Sequence, residues 1–308
     1  MSQPLYLTDR AGTSADCVGP QPLSGHVSPP EVRAALPADV VRYWSGRHVV
    51  ITGGSSGIGL AVTELALSVG ARVSVLALED TALKSLSAFA ESAPRLAVFA
   101  ADVTDRTQVD AALANARARH GEIGAVIACA GIAKPDYFAR LYETDFVRHM
   151  SVNYFGALHV IQSALPDVCA SERGSITVIS SLAAVLPCFG YSAYSPSKSA
   201  VRSLCEVLRQ ELKPHGVTVT VVMPPDVDTP QLAAEAATKP PELRALSSST
   251  PISASAVAHA LLVGAARGRA SVVPTLSGRL MHWLAAVAPG LMAWFMDRTI
   301  ARAQHRHS

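Results

Sequence analysis

Short apolar runs punctuate the chain at regular intervals, with longer stretches of mixed polarity between them. Arg47 to Ile51, Arg72 to Ala77, Leu96 to Ala100, Ile123 to Ala128, Ser175 to Ser180 and Val217 to Met223 read as strands, and Ala270 to Pro274 as a last one. Leu60 to Val69, Thr144 to Leu165, Ala200 to Lys213 and Ala254 to Ala266 read as helices. Strands that alternate with helices predict an α/β fold, a doubly wound parallel sheet with right-handed crossovers in a single Rossmann-type domain.

The ends of the chain follow other patterns. Met1 to Pro30 is rich in Pro, Gly and Ser without an apolar period, which predicts a mobile extension. Glu31 to Trp44 predicts a short helix leading into a domain that runs from residue 31 to 275. Leu232 to Ser249, with Lys239-Pro240-Pro241, reads as small helices and turns, a substrate lid within residues 230–250. Residues 276–308 form an apolar terminal segment. Its centre, Leu280 to Met296, is broken by Pro289-Gly290 and falls short of the roughly 20 apolar residues that a spanning helix needs. Tryptophans near its two ends, with Arg298, Arg302 and Arg306 beyond, suit peripheral contact with a membrane through residues 280–296. A hairpin covering the substrate pocket, or a face for a second copy, fits the same residues.

Composition narrows the class of protein. The 308 residues are 49% hydrophobic and 16% charged, apolar for a soluble enzyme, which points to an apolar ligand or a membrane face. A net charge of +2 gives no electrostatic case for nucleic acid. The five cysteines are scattered without metal-ligand spacing, so they read as reduced thiols, and no secretory signal pattern opens the chain. Together these place the protein in the cytoplasm, or at the cytoplasmic face of a membrane.

Candidate chemistry gathers at the ends of the strands. Thr52-Gly53-Gly54-Ser55-Ser56-Gly57-Ile58-Gly59 links the first strand to a helix. Gly53 permits a tight turn, and Gly57 and Gly59 let backbone amides approach a pyrophosphate, as a dinucleotide site requires. Ser55 and Ser56 can donate to a 2′-phosphate. The second strand ends at Ala77-Leu78, with neither an acid for a ribose nor a base for a phosphate, and Glu79 and Asp80 can simply charge the next helix. Asp102, followed by Val103, can accept from an adenine amino group, while Thr104 or Asp105 can cap the next helix. Tyr194 stands four residues before Lys198, which puts both side chains on one helix face. An ammonium beside a phenol favours the phenolate and suits proton transfer near neutral pH. Ser181, at the end of a strand, can bond the same substrate oxygen. Pro224-Pro225-Asp226-Val227-Asp228-Thr229-Pro230 is a rigid loop fit to wall a ligand site.

Taken together, these pieces resemble the short-chain dehydrogenase/reductase family from about Arg47 to Pro274. The resemblance implies Tyr194 as the acid or base and Lys198 as the group that lowers its pKa and holds the nicotinamide ribose. It implies Ser181 orienting the carbonyl and Asn153 holding a water in a proton relay. Gly53, Ser55, Ser56, Gly57, Ile58, Gly59, Asp102, Val103, Pro224, Val227 and Thr229 would join Tyr194 and Lys198 in contacting the cofactor. Within that family the double proline at 224–225, the Phe189 to Lys198 segment and Thr238-Lys239-Pro240 are most similar to 3-ketodihydrosphingosine reductases. That subfamily implies NADPH-dependent reduction of 3-ketosphinganine, a long-chain lipid ketone, to sphinganine. The chain departs from the pattern at Ala128, where the family has a bracing Asn, and at Leu78 and Ala82, where the subfamily has basic residues. NADP(H) is therefore the expected cofactor with NAD(H) as the alternative. A 3-oxoacyl lipid or a steroid ketone is the alternative substrate, and a non-catalytic cofactor-binding membrane protein the alternative class. The family resemblance also implies a homo-oligomer, built on the helices around 144–165 and 200–213.

Overall fold

A computed structural model describes residues 36–247 and 250–307. The extension at residues 1–30, the start of the helix expected over 31–44, and Ser248 and Ser249 of the lid lie outside the described residues.

The chain begins with α1 (Ala38–Trp44) and then alternates: β1 (His48–Thr52), α2 (Gly57–Ser68), β2 (Arg72–Ala77), α3 (Thr81–Ala90), β3 (Leu96–Ala100), α4 (Arg106–His120) and β4 (Ala125–Ala128). The second half adds α5 (Glu143–Met150), α6 (Gly156–Ala170), β5 (Ser175–Ile179), α7 (Tyr194–Glu211) and β6 (Thr218–Val222). After it come β7 (Val227–Asp228), α8 (Pro230–Glu235), α9 (Pro241–Leu246), β8 (Ile252–Ser253), α10 (Ala254–Ala266) and β9 (Ser271–Val272). The chain closes with α11 (Leu276–Val287) and α12 (Pro289–His307).

Seven strands form one parallel sheet in the order β3-β2-β1-β4-β5-β6-β9, and β7 and β8 pair separately. The strand order reverses between β1 and β4, the place where open α/β sheets hold ligands beyond the strand carboxyl ends. Register brings three chain exits close to one height: Thr52 lies opposite Ala128, and Ala128 opposite Val178. The segments starting at Gly53 and Cys129 therefore leave the sheet side by side, and β5 ends one residue further on, at Ile179.

Both sheet faces are covered, which is why the strands read as continuous apolar runs. Val49 and Ile51 point to one side, against Trp44, Ala66 and Leu261 of α1, α2 and α10. Val50 points to the other, against Leu113, Ile161 and Val201 of α4, α6 and α7. Trp44 is fully buried and its indole N–H donates to the Leu262 carbonyl at 3.0 Å, which anchors α1 on α10.

Three helices differ from the sequence pattern. Helix α2 starts at Gly57, inside the glycine turn, and α7 starts at Tyr194, so both helices begin at candidate site residues. The helix expected over Thr144 to Leu165 is broken by a π turn, Ser151–Phe155, between α5 and α6. The wider turn coincides with Asn153, whose side chain is buried and hydrogen-bonded in the site. At the carboxyl end, Leu280 to Met296 folds as the helical hairpin that is one of its sequence readings, broken before Pro289. Met292 and Ala303 of α12 are buried, and α12 packs on α9. Among the described residues no helix is long and apolar enough to cross a membrane. On the helices expected at a seam between copies, Phe155 and Val207 leave apolar side chains exposed.

Candidate active site

The glycine turn makes room for a backbone-held ligand. Gly53 and Gly57 have φ of +65° and +51°, the left-handed region that favours glycine. A Cβ on Gly59 would stand 2.1 Å from the Gly53 carbonyl oxygen, so only a bare backbone fits. No side chain caps α2, which leaves its first amides free for an anion. Thr52 then ties the turn to the neighbouring strand: its hydroxyl oxygen accepts from the amides of Cys129 and Ala130 at 3.2 and 3.1 Å. This tie joins β1 to the segment after β4 beside Ala128.

Beyond the turn lies a crevice of about 630 Å³, bounded by Ser55, Leu76, Leu78, Asp102 and Val103 among others. It lies where an adenosine half would sit. Asp102 Oδ1 accepts from the amide and hydroxyl of Thr104 at 2.9 and 2.8 Å, and Asp105, not Thr104, caps α4. Asp80 is spent on capping α3 through the Leu83 amide at 2.8 Å, and Glu79 pairs with Lys84 in solvent. Leu78 is 59% exposed at the rim. The tip of β2 therefore offers a ribose no acid free of other duties.

Four further residues converge beside the turn. Tyr194 and Lys198 both lie buried on the first turns of α7. Lys198 Nζ donates to the Ile179 carbonyl at 2.9 Å and stands 5.8 Å from the Tyr194 ring centre. The Ser180 hydroxyl donates to the Lys198 carbonyl at 2.8 Å, which stitches α7 to the end of β5. Ser181 caps a short 3-10 turn by accepting from the Ala183 amide at 3.1 Å, and its hydroxyl also meets the Tyr194 phenol. Asn153 uses both amide hydrogens, on the Ile132 carbonyl at 3.0 Å and the Ser197 hydroxyl at 2.9 Å, and accepts from the Ile132 amide at 2.8 Å. Ser197, absent from the sequence reading, thus joins Asn153 to α7.

Burial dominates the electrostatics of the site. The largest influence on the phenol of Tyr194 is its burial, not a neighbouring charge. Burial pushes the phenol pKa above its ordinary value, and the Ser181 hydroxyl is the one group pulling it down. Burial disfavours charge on the amine as well, and lowers Lys198 to about 8. Cys129 lines the same cleft, but burial pushes its thiol up to about 12, so it stays protonated and is no nucleophile.

A cavity of about 450 Å³ connects these groups, reaching from Gly53 and Ser56 past Ser181 and Tyr194 to Leu243, Met292 and Phe295. Pro224, Val227 and Thr229 form part of its wall. The hairpin α11–α12 therefore covers the pocket, one of the roles the sequence left open for it. The lid adds polar groups. Glu235 of α8 is 5% exposed and accepts from the Tyr191 hydroxyl at 2.6 Å. Its only sequence signal is a lone acid within Leu232-Ala233-Ala234-Glu235-Ala236-Ala237. Lys239 Nζ lies 3.4 Å from Asp226.

An open parallel sheet with a glycine turn at its switch point and a buried Ser, Tyr and Lys beside it defines a nicotinamide-dependent oxidoreductase. The profile described as short chain dehydrogenase matches residues 47–240, and the chain belongs to the short-chain dehydrogenase family. A 3-ketodihydrosphingosine reductase of Dictyostelium discoideum is 33% identical over 82% of this chain and 80% of its own length. A 3-dehydrosphinganine reductase of Danio rerio is 34% identical over 68% of this chain, which spans 65% of that protein. Among solved structures, a short-chain dehydrogenase of Burkholderia cenocepacia in complex with NADP superposes with a TM-score of 0.70. It is 24% identical over 82% of this chain and 98% of its own. A dehydrogenase/reductase of Sinorhizobium meliloti is 26% identical, with a TM-score of 0.65 over 76% of this chain and 96% of its own.

Proposed function

We propose that this protein reduces 3-ketosphinganine to sphinganine with NADPH. The observation that carries the reading is one continuous cavity, with Tyr194 and Ser181 between the glycine turn and an apolar recess under the hairpin. The relatives' names supply the substrate, and the recess suits its alkyl chain.

The residues present fit a dinucleotide: Gly53, Gly57 and Gly59 keep side chains out of the turn, and a separate crevice runs on toward Asp102. Bound NADPH supplies a hydride to C3 of the ketone. The chain's own residues do the rest. Ser181 and Tyr194 present hydroxyls to the carbonyl oxygen. The raised pKa of Tyr194 keeps the phenol protonated at neutral pH, the state needed to give a proton to the oxygen as C3 is reduced. Lys198, held by the Ile179 carbonyl, is placed to stabilise the phenolate left behind and to hold the ribose. Asn153 keeps one carbonyl lone pair for a relay water beside Gly131, where a Cβ would lie 3.1 Å from Lys198 Nζ and 3.2 Å from Asn153 Oδ1.

The test is turnover of 3-ketosphinganine by purified protein, with NADPH and NADH in parallel and Tyr194→Phe as the control. Oxidation of NADPH is expected in the wild type, with turnover lost and NADPH binding kept in the variant. A wild type that reduces simple ketones and leaves 3-ketosphinganine untouched sinks the substrate. Activity that survives Tyr194→Phe sinks the mechanism.

We further infer that the outer face of the hairpin rests on a membrane at its cytoplasmic side. Leu280, Trp283, Val287, Leu291 and Trp294 are all more than half exposed, and Arg298 stacks over Trp294 at 5.6 Å. Exposed tryptophans beside arginines are the composition of an interfacial helix.

A further inference from the structure

The cavity that holds Tyr194 is lined by two carboxylates, and they differ in one respect. Asp226 has a cation, Lys239, at 3.4 Å. Glu235 has none within ion-pair distance among the described residues. It is 5% exposed, and its oxygens meet only neutral donors, the Tyr191 hydroxyl at 2.6 Å and the Gln231 side-chain amide at 3.2 Å. Burial pushes the Glu235 carboxyl up, and the charge of Lys239, paired with Asp226, reaches it only from beyond contact. A buried carboxylate with no cation against it is costly to maintain, and such groups in a cavity are matched by what the cavity takes in. The carboxylate is also close to the reacting position. Tyr191, whose hydroxyl it accepts, packs on Tyr194 with ring centres 4.9 Å apart.

We infer that Glu235 is the specificity-determining residue for a substrate that carries an amine beside its ketone. The inference rests on the proposed reaction and deepens it. In 3-ketosphinganine the amine is on C2, one bond from the carbonyl carbon. With the ketone oxygen at Ser181 and Tyr194, the amine lies within the same end of the cavity as Glu235, while the alkyl chain takes the apolar wall of Met292, Phe295 and Met296. The lid then reads two features of the ligand at once: charge at α8 and chain length under α12.

Glu235→Gln tests this, because the amide keeps an acceptor for Tyr191 and drops the charge. The substrates are 3-ketosphinganine and 1-hydroxyoctadecan-3-one, which lacks the amine, with dodecylamine and dodecanol as non-reacting binding probes followed by calorimetry. The variant is expected to lose about tenfold or more in kcat/KM on the amino ketone, mostly in KM, and to stay within about twofold on the amine-free ketone. Wild type is expected to prefer dodecylamine to dodecanol by about tenfold, and the variant to show no preference. Equal losses on both ketones, or no loss on the amino ketone, overturn the inference. The binding probes separate it from the proposed reaction. If wild type does not reduce 3-ketosphinganine yet prefers the amine through Glu235, the cation subsite stands and that reaction falls. If it reduces 3-ketosphinganine and Glu235→Gln does so equally well, the reaction stands and the subsite falls. Should the variant fail to fold, absence of the amine preference in wild type is sufficient to overturn the subsite.

Discussion

Burial moves two ionisable groups of α7, Tyr194 and Lys198, in opposite directions, because it disfavours charge on each. The phenol of Tyr194 rises and the amine of Lys198 falls to about 8, so at neutral pH the phenol holds its proton. That is the starting state for reduction of a ketone. The same physics acts far from the site at His48, which is 1% exposed, between the Gly121 carbonyl at 2.8 Å and the Ser74 hydroxyl at 2.9 Å. Burial lowers its pKa from 6.5 to about 4. The folded protein therefore binds this proton less readily than the unfolded chain does. The contribution of His48 is complete above pH 6.5, is lost as pH falls from 6.5 toward about 4, and changes no further below that. Thermal melts across this range are expected to fall more steeply for wild type than for His48→Asn, whose side chain stays neutral. Parallel slopes for the two proteins would exclude the assignment.

At the scale of elements, the site depends on where helices begin and where they widen. The close approach of α2 to its own turn is possible only with glycine at 59. Gly59→Ala places a Cβ against backbone that has nowhere to move, and overpacking of this kind costs about 1–3 kcal/mol or more. A lowered Tm and weakened NADPH binding are expected. Gly290→Ala is the matched control, since its Cβ meets nothing within 4 Å; it is expected to leave both unchanged. A Gly59→Ala protein as stable as wild type, with undiminished NADPH binding, would show that the turn is looser than its contacts require. The π turn is the element the sequence hid. Apolar spacing over Thr144 to Leu165 is that of one helix, and nothing in that spacing marks the extra residue in the turn that carries Asn153. Gly156 was the available hint: a Cβ there would lie 2.6 Å from a Val103 methyl carbon, so α6 must pass β3's exit closely.

For the whole molecule, the carboxyl-terminal hairpin serves two faces. Met281, Met292, Phe295 and Met296 line the pocket, while Trp283 and Trp294 are 58% and 57% exposed. A membrane-resting enzyme that takes in a lipid can receive it through such a hairpin. Vesicles containing anionic phospholipid are expected to co-sediment wild type and to leave the Trp283→Ser/Trp294→Ser double variant in solution, with its turnover of a short soluble ketone unchanged. Wild type that stays in the supernatant at every lipid concentration would remove the membrane from the account.

Local chemistry determined the sheet, the glycine turn and the Ser181, Tyr194 and Lys198 set, because strand burial, positive-φ turns and i, i+4 pairing are written within a few adjacent residues. The remaining features were decided by packing between segments distant in the chain. Thr52 tied the glycine turn to the segment after β4, the surroundings of Tyr194 raised its pKa where a neighbouring amine alone would lower it, and the fold of the lid buried Glu235 with no cation in contact. Each depends on which groups exclude water from which others, and that is settled only when the whole chain has closed around them.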